Sequence, residues 1–199
     1  MNKGGKILGV VCLSLLIAEG ILIILSWLLS ATMMDGVRSM LSSEGIRWFF
    51  GSFTYMMASP LLVWLILLLS ALGCFQKSGA EAVFRHQPLT YRERIALRVA
   101  IIFLCIYIVI IALLTLTPHA ILLSATGELF PSAFSRSLVP IVAIGVILFS
   151  VSYGMMAGRV RTLSGILGSV SYGIAKGASL IIVLFLLIQL YESIRFVFA

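Results

Sequence analysis

The sequence predicts an all-α protein, a polytopic transmembrane helical bundle of about five spanning helices plus a short interfacial helix. Three observations predict it. First, 61% of the 199 residues are hydrophobic and 11% are charged, against about 45–50% and about 25% in soluble domains. A soluble fold of this length has too little polar surface to cover such a core, whereas lipid can cover the rest. Second, the apolar residues gather into runs long enough to cross a hydrocarbon layer about 30 Å thick. Third, the Lys and Arg residues flank those runs. The net charge of +7 therefore reads as membrane topology, and no nucleic-acid partner is expected.

The first run covers residues 7–31 and holds one charge, Glu19. It exceeds the 7–15 apolar residues of a signal peptide, and no small-residue cleavage site follows at once, so it reads as a retained helix. Residues 32–58 combine Asp35, Arg38, Glu44 and Arg47 with Trp48, Phe49, Phe50, Phe53 and Tyr55. Such a mixture suits an amphipathic helix in the interface, its aromatic rings at headgroup depth. The second span is expected over 59–75. A polar, basic connection at 76–96 leads to a third span over 97–117. Pro118 and Pro131 bound a loop holding Thr126, Gly127 and Glu128. The fourth span is expected over 138–157, and 158–173 reads as a Gly- and Ser-rich connection with Arg159 and Arg161. The fifth span is expected over 174–191. Together these make one integral membrane domain over 1–199.

Orientation follows from the basic residues. Lys3, Lys6, Lys77, Arg85, Arg92, Arg94, Arg98, Arg159, Arg161 and Lys176 fall on one side, ten in all. Arg38, Arg47, Arg136 and Arg195, four residues, fall on the other. The positive-inside rule puts the first side in the cytoplasm, so the N-terminus is expected inside and the C-terminus outside.

Glu19 is the residue most suggestive of chemistry, because a charge in the middle of a span is costly. Cys12, Ser26 and Ser30 share its helical face at offsets of seven and eleven, so this stripe is expected to face protein or water. It reads either as an ion, proton or substrate contact, or as a protonated acid bonded to a neighbouring helix. Gly165, Ser169, Gly173 and Gly177 recur every four residues and form a small-residue ridge for helix packing. The ridge can pack within one chain or between two copies. Gln189, Glu192 and Arg195 share a face near the end of the fifth span, where Glu192 and Arg195 can pair.

Cys12, Cys74 and Cys105 are scattered and form neither a disulfide framework nor a zinc site. His86 and His119 lack metal-ligand or catalytic partners at diagnostic spacing, and no phosphate-binding or nucleophile-elbow motif occurs. No enzymatic activity, cofactor or metal is expected.

Two stretches carry a family resemblance. The first contains Leu41, Ser42, Ser43, Glu44, Gly45, Ile46 and Arg47, then Phe53, Pro60 and Leu61, and closes on Leu72, Gly73, Ser78 and Gly79. The second has a proline-containing helix ending in Tyr153, Gly154 and Gly158, followed by Gln189 in an apolar run. Their content and order resemble the AbgT family of p-aminobenzoyl-glutamate transporters. The resemblance implies a multi-pass protein of the bacterial inner membrane, related to transport of a small organic anion such as aminobenzoyl-glutamate. It adds Tyr153, Gly154 and Gln189 to Glu19 as candidate substrate or ion contacts. It also implies a homodimer; the partners expected are the lipid bilayer and either a second copy of the chain or another membrane protein. Family members are longer and build their substrate and sodium sites with re-entrant hairpins whose motifs are absent here. Sodium-coupled uptake by this chain alone is therefore not expected. The alternative is a non-transporting scaffold or subunit of a larger membrane complex.

Overall fold

The computed structural model describes residues 3–32, 36–84, 90–116 and 133–198. Among them are seven helices and no strand. Asp35, Arg85, His86 and the 118–131 loop with His119 lie outside the described residues.

The first helix, α1 (Lys3–Ala31), covers the first apolar run. The interfacial stretch folds as α2 (Ser43–Met57). Its start is fixed by Ser42, whose hydroxyl accepts a hydrogen bond from the Gly45 N–H at 3.0 Å. This satisfies one of the N–H groups that a helix start leaves unpaired. Next come α3 (Pro60–Ser78), with proline at the position where its missing N–H costs nothing, and the single turn α4 (Glu81–Phe84). The helix α5 (Tyr91–Leu116) opens where Glu93 reaches back to accept from the Thr90 N–H at 3.0 Å. That is half of a capping box.

Two helices complete the chain, α6 (Ala133–Ala157) and α7 (Leu163–Phe198). The end of α6 is set by Gly158 at φ 79°. The Gly158 N–H donates to the Met155 carbonyl at 3.0 Å and the Arg159 N–H to the Gly154 carbonyl at 2.9 Å. This pair of bonds needs a left-handed residue at Gly158. The Tyr153-Gly154 and Gly158 positions that carry the resemblance thus make a helix stop.

By length and composition α1, α3, α5, α6 and α7 are each able to cross a membrane. The last begins well before the fifth apolar run. Its Gly- and Ser-rich stretch, expected as a connection, is helical from Leu163, behind a Thr162 hydroxyl that accepts from the Gly165 N–H at 3.1 Å. With 36 residues, α7 is about 54 Å long at 1.5 Å per residue.

The helices group into two compact units, Met1–Val63 with Gly177–Ala199, and Trp64–Lys176. In the first unit Leu22, Met40, Phe196 and Val197 form a buried core, flanked by Trp48, Phe49 and Leu190. The chain leading into α2 is tied down at two points. The Arg38 N–H donates to the Val197 carbonyl at 2.9 Å, and the Met40 N–H to the Ser26 hydroxyl at 3.2 Å.

In the second unit Ala80, Ala96, Ala100 and Tyr153 are fully buried together. There α3 and α7 touch backbone to backbone. A Cβ at Gly173 would fall onto the Leu69 carbonyl, and one at Gly73 onto the Gly173 backbone. This contact explains why the Gly- and Ser-rich stretch is helical: its small residues admit a neighbouring backbone. Ser169 and Gly173 of the ridge therefore pack against α3 of the same chain. Gly165 sits against Thr162 and Val160, and Gly177 is buried.

Candidate functional site

The first unit assembles a polar cluster from residues far apart in sequence. Glu19 lies at the centre of α1's apolar run, about 18 Å along the helix from either end of that run. Across from it, the Ser193 hydroxyl of α7 donates to the Glu19 carboxylate at 2.6 Å. One turn earlier, the Gln189 side-chain amide donates to Ser193 at 3.4 Å. Gln189 and Ser193 are both buried.

Two acceptors in this cluster are left over. Among the described residues, the second carboxylate oxygen of Glu19 and the amide oxygen of Gln189 are buried without a hydrogen-bond partner. Buried polar atoms in folded proteins are nearly always paired, and unmet ones mark a missing partner or a functional role. Both atoms here accept, so they would take a hydrogen-bond donor or a cation. One carboxylate and one amide oxygen are a thin donor set for a metal ion. Among the described residues, no group of three His, Cys, Asp or Glu side chains gathers to hold one.

The same end of α7 lines a charged basin. Arg38, Glu44, Trp48, Glu192, Arg195 and Phe196 surround a cavity of about 290 Å³. Trp48 and Phe196 stack at 4.2 Å between ring centres, and the Arg38 guanidinium lies 5.9 Å from the Phe196 ring centre. Arg38 sits 3.8 Å from Glu44, and Arg195 sits 3.4 Å from Glu192. Both separations exceed the roughly 2.7–2.9 Å of a strong charge-assisted bond. The two guanidiniums therefore keep donors to offer an anion, beside an aromatic wall suited to a flat ring. Arg195 follows Ser193 by two residues, so basin and buried acid share one stretch of helix.

Of the four candidate contacts read from the sequence, Glu19 and Gln189 come together through Ser193. Tyr153 and Gly154 belong to the other unit. Tyr153 is fully buried, its hydroxyl and that of Ser150 have no hydrogen-bond partner among the described residues, and Phe149 stacks on its ring at 6.4 Å. Gly154 lies against Ser78 and Val160, where an added Cβ would sit 3.1 and 3.2 Å from its neighbours. Of the residues sharing Glu19's face, Ser26 is fully buried and holds Met40, while Cys12 and Ser30 are half-buried.

Sequence reasoning missed Ser193, Arg38 and Trp48. For Ser193 a signal existed, since it follows Gln189 by one helical turn in an apolar run. For Arg38 and Trp48 none did, because their meeting with α7 depends on how the chain returns after α1.

A family model described as the AbgT putative transporter family matches residues 48–196. Among curated proteins and among solved structures, nothing matches. The matched region includes Trp48, Tyr153, Gly154, Gln189, Ser193 and Arg195, while Glu19 and Arg38 precede it.

Proposed function

This chain belongs to the AbgT family of membrane transporters, and from that premise we propose that it moves a small organic anion, such as aminobenzoyl-glutamate, across a bacterial inner membrane. Family membership implies transport rather than catalysis. The observation that carries the reading is the Glu19–Ser193–Gln189 cluster with its two unmet buried acceptors. An ionisable group inside a membrane span marks an ion or proton pathway by default. Glu19 lies on that pathway, and Ser193 holds its carboxyl in place. In the basin, Arg38 and Arg195 meet the anion's carboxylates and the Trp48–Phe196 stack meets its ring. The N-terminus faces the cytoplasm in this reading, as the ten-to-four distribution of basic residues favours.

The test is uptake of labelled aminobenzoyl-glutamate into proteoliposomes holding the purified full chain. Accumulation is expected with a proton gradient and not with a sodium gradient alone. Glu19→Gln should abolish it, and Arg195→Gln should raise the half-saturating concentration. No uptake under any gradient, from protein that is folded and inserted, overturns the proposal. A second reading, a non-transporting scaffold or subunit of a larger membrane complex, draws support from one side of α1, where Val10, Leu13, Ile17, Ile21 and Ile24 are exposed. It predicts no uptake together with stable co-purification of a second membrane protein.

A further inference from the structure

Outside the cluster and the basin, the second unit holds an arrangement that topology alone does not explain. Lys77, in the last turn of α3, places its ammonium 5.1 Å from the Tyr172 ring centre, and Lys176 of α7 places its own 5.9 Å from the same ring. A second contact fixes Lys176, whose ammonium donates to the Gln76 side-chain oxygen at 2.9 Å. Among the described residues, neither lysine has a carboxylate partner. Two cations gathered on one ring repel each other. The ring's negative face offsets only part of that, at about 0.5–1 kcal/mol for an exposed site.

The site also lies at headgroup depth. The apolar run of α3 ends at Phe75, just before Gln76 and Lys77, and Lys176 stands in the first turn of the fifth apolar run at 174–191. Helical side chains lean toward their own N-terminus, so Lys176 reaches back out of the span toward Gln76. Both lysines fall on the side that the basic-residue distribution assigns to the cytoplasm, where anionic lipids supply negative charge. We propose that Lys77, Lys176 and Tyr172 form a binding site for the phosphate of an anionic phospholipid headgroup. The phosphate sits between the two ammonium groups. Gln76 holds Lys176 in place, and the acyl chains run along the apolar flank of α3, where Leu72 and Leu68 are exposed.

Native mass spectrometry of the full chain in mild detergent tests this, with titration by phosphatidylglycerol and by phosphatidylcholine. Tighter retention of phosphatidylglycerol is expected. Each Lys→Gln change should weaken it about fivefold, and Lys77→Gln with Lys176→Gln should weaken it further than either alone. The paired Lys→Arg variant should retain binding, which separates loss of charge from misfolding. Lys6→Gln, which removes a charge elsewhere on the same assigned side, should change nothing. Equal retention of both lipids, or full retention by the double Gln variant, overturns the proposal. Displacement of the lipid by inorganic phosphate at matched concentration also overturns it, because the site would then belong to a soluble anion.

Discussion

Replacing Gly173 by alanine tests the α3–α7 contact directly. The new Cβ would lie 2.7 Å from the Leu69 carbonyl carbon and 2.8 Å from the Gly73 nitrogen. Carbon pairs rest at about 3.5–4.0 Å and the Leu69 carbonyl oxygen lies closer still, so the two backbones must part by more than roughly 0.8 Å. No side chain can rotate away, because the obstructing atoms are main chain of α3. Forcing one extra carbon into a packed contact costs about 1–3 kcal/mol. At about 2–4 °C per kcal/mol for a domain of this size, the melting temperature should fall by roughly 2–12 °C. Gly168→Ala is the control. It lies on the same helix with nothing within 4 Å of its added Cβ, and alanine is favoured over glycine inside a helix by about 0.5–1 kcal/mol. Gly168→Ala should therefore raise the melting temperature, and Gly173→Ala should lower it. Thermal unfolding in one detergent, followed by circular dichroism, measures both. If the two variants shift in the same direction, the close approach of α3 and α7 is refuted.

Glu19→Gln should preserve folding, because a neutral amide can still accept from Ser193. Glu19→Lys should not, because it buries a cation beside the Ser193 donor at a cost of several kcal/mol. Monodispersity on size-exclusion chromatography distinguishes the two. On a cysteine-free background, a cysteine at Thr90 should react with impermeant reagent only from the cytoplasmic side. Labelling from outside would reverse the orientation. Within the chain, α3 already covers Ser169 and Gly173. A dimer should therefore form through another surface and survive Gly173→Ala. A strictly monomeric mass in mild detergent, with no crosslinking in membranes, would rule it out.

Much of this protein was legible from the sequence, because the properties concerned are local. An apolar run declares a membrane helix through its own length and hydropathy, and α1, α3, α5 and α6 lie where the runs lie. The aromatic interfacial stretch and the motifs shared with the AbgT family are equally matters of neighbouring residues. Glu19 drew attention for the same reason, as the single charge in its run. What it meets was decided only by the tertiary structure. Ser193 is 174 residues away, and no periodicity within either helix relates the two. The length of α7 also depended on tertiary structure. By composition, glycine and serine argue for a connection after α6, because glycine weakens an isolated helix. The helix continues because α3 packs against Ser169 and Gly173, and that backbone contact exists only where the residues are small. The meeting of Arg38, Trp48 and Arg195 around one basin has the same origin. Each charge or ring was visible in the sequence, but the return of the chain after α1 set which of them face each other.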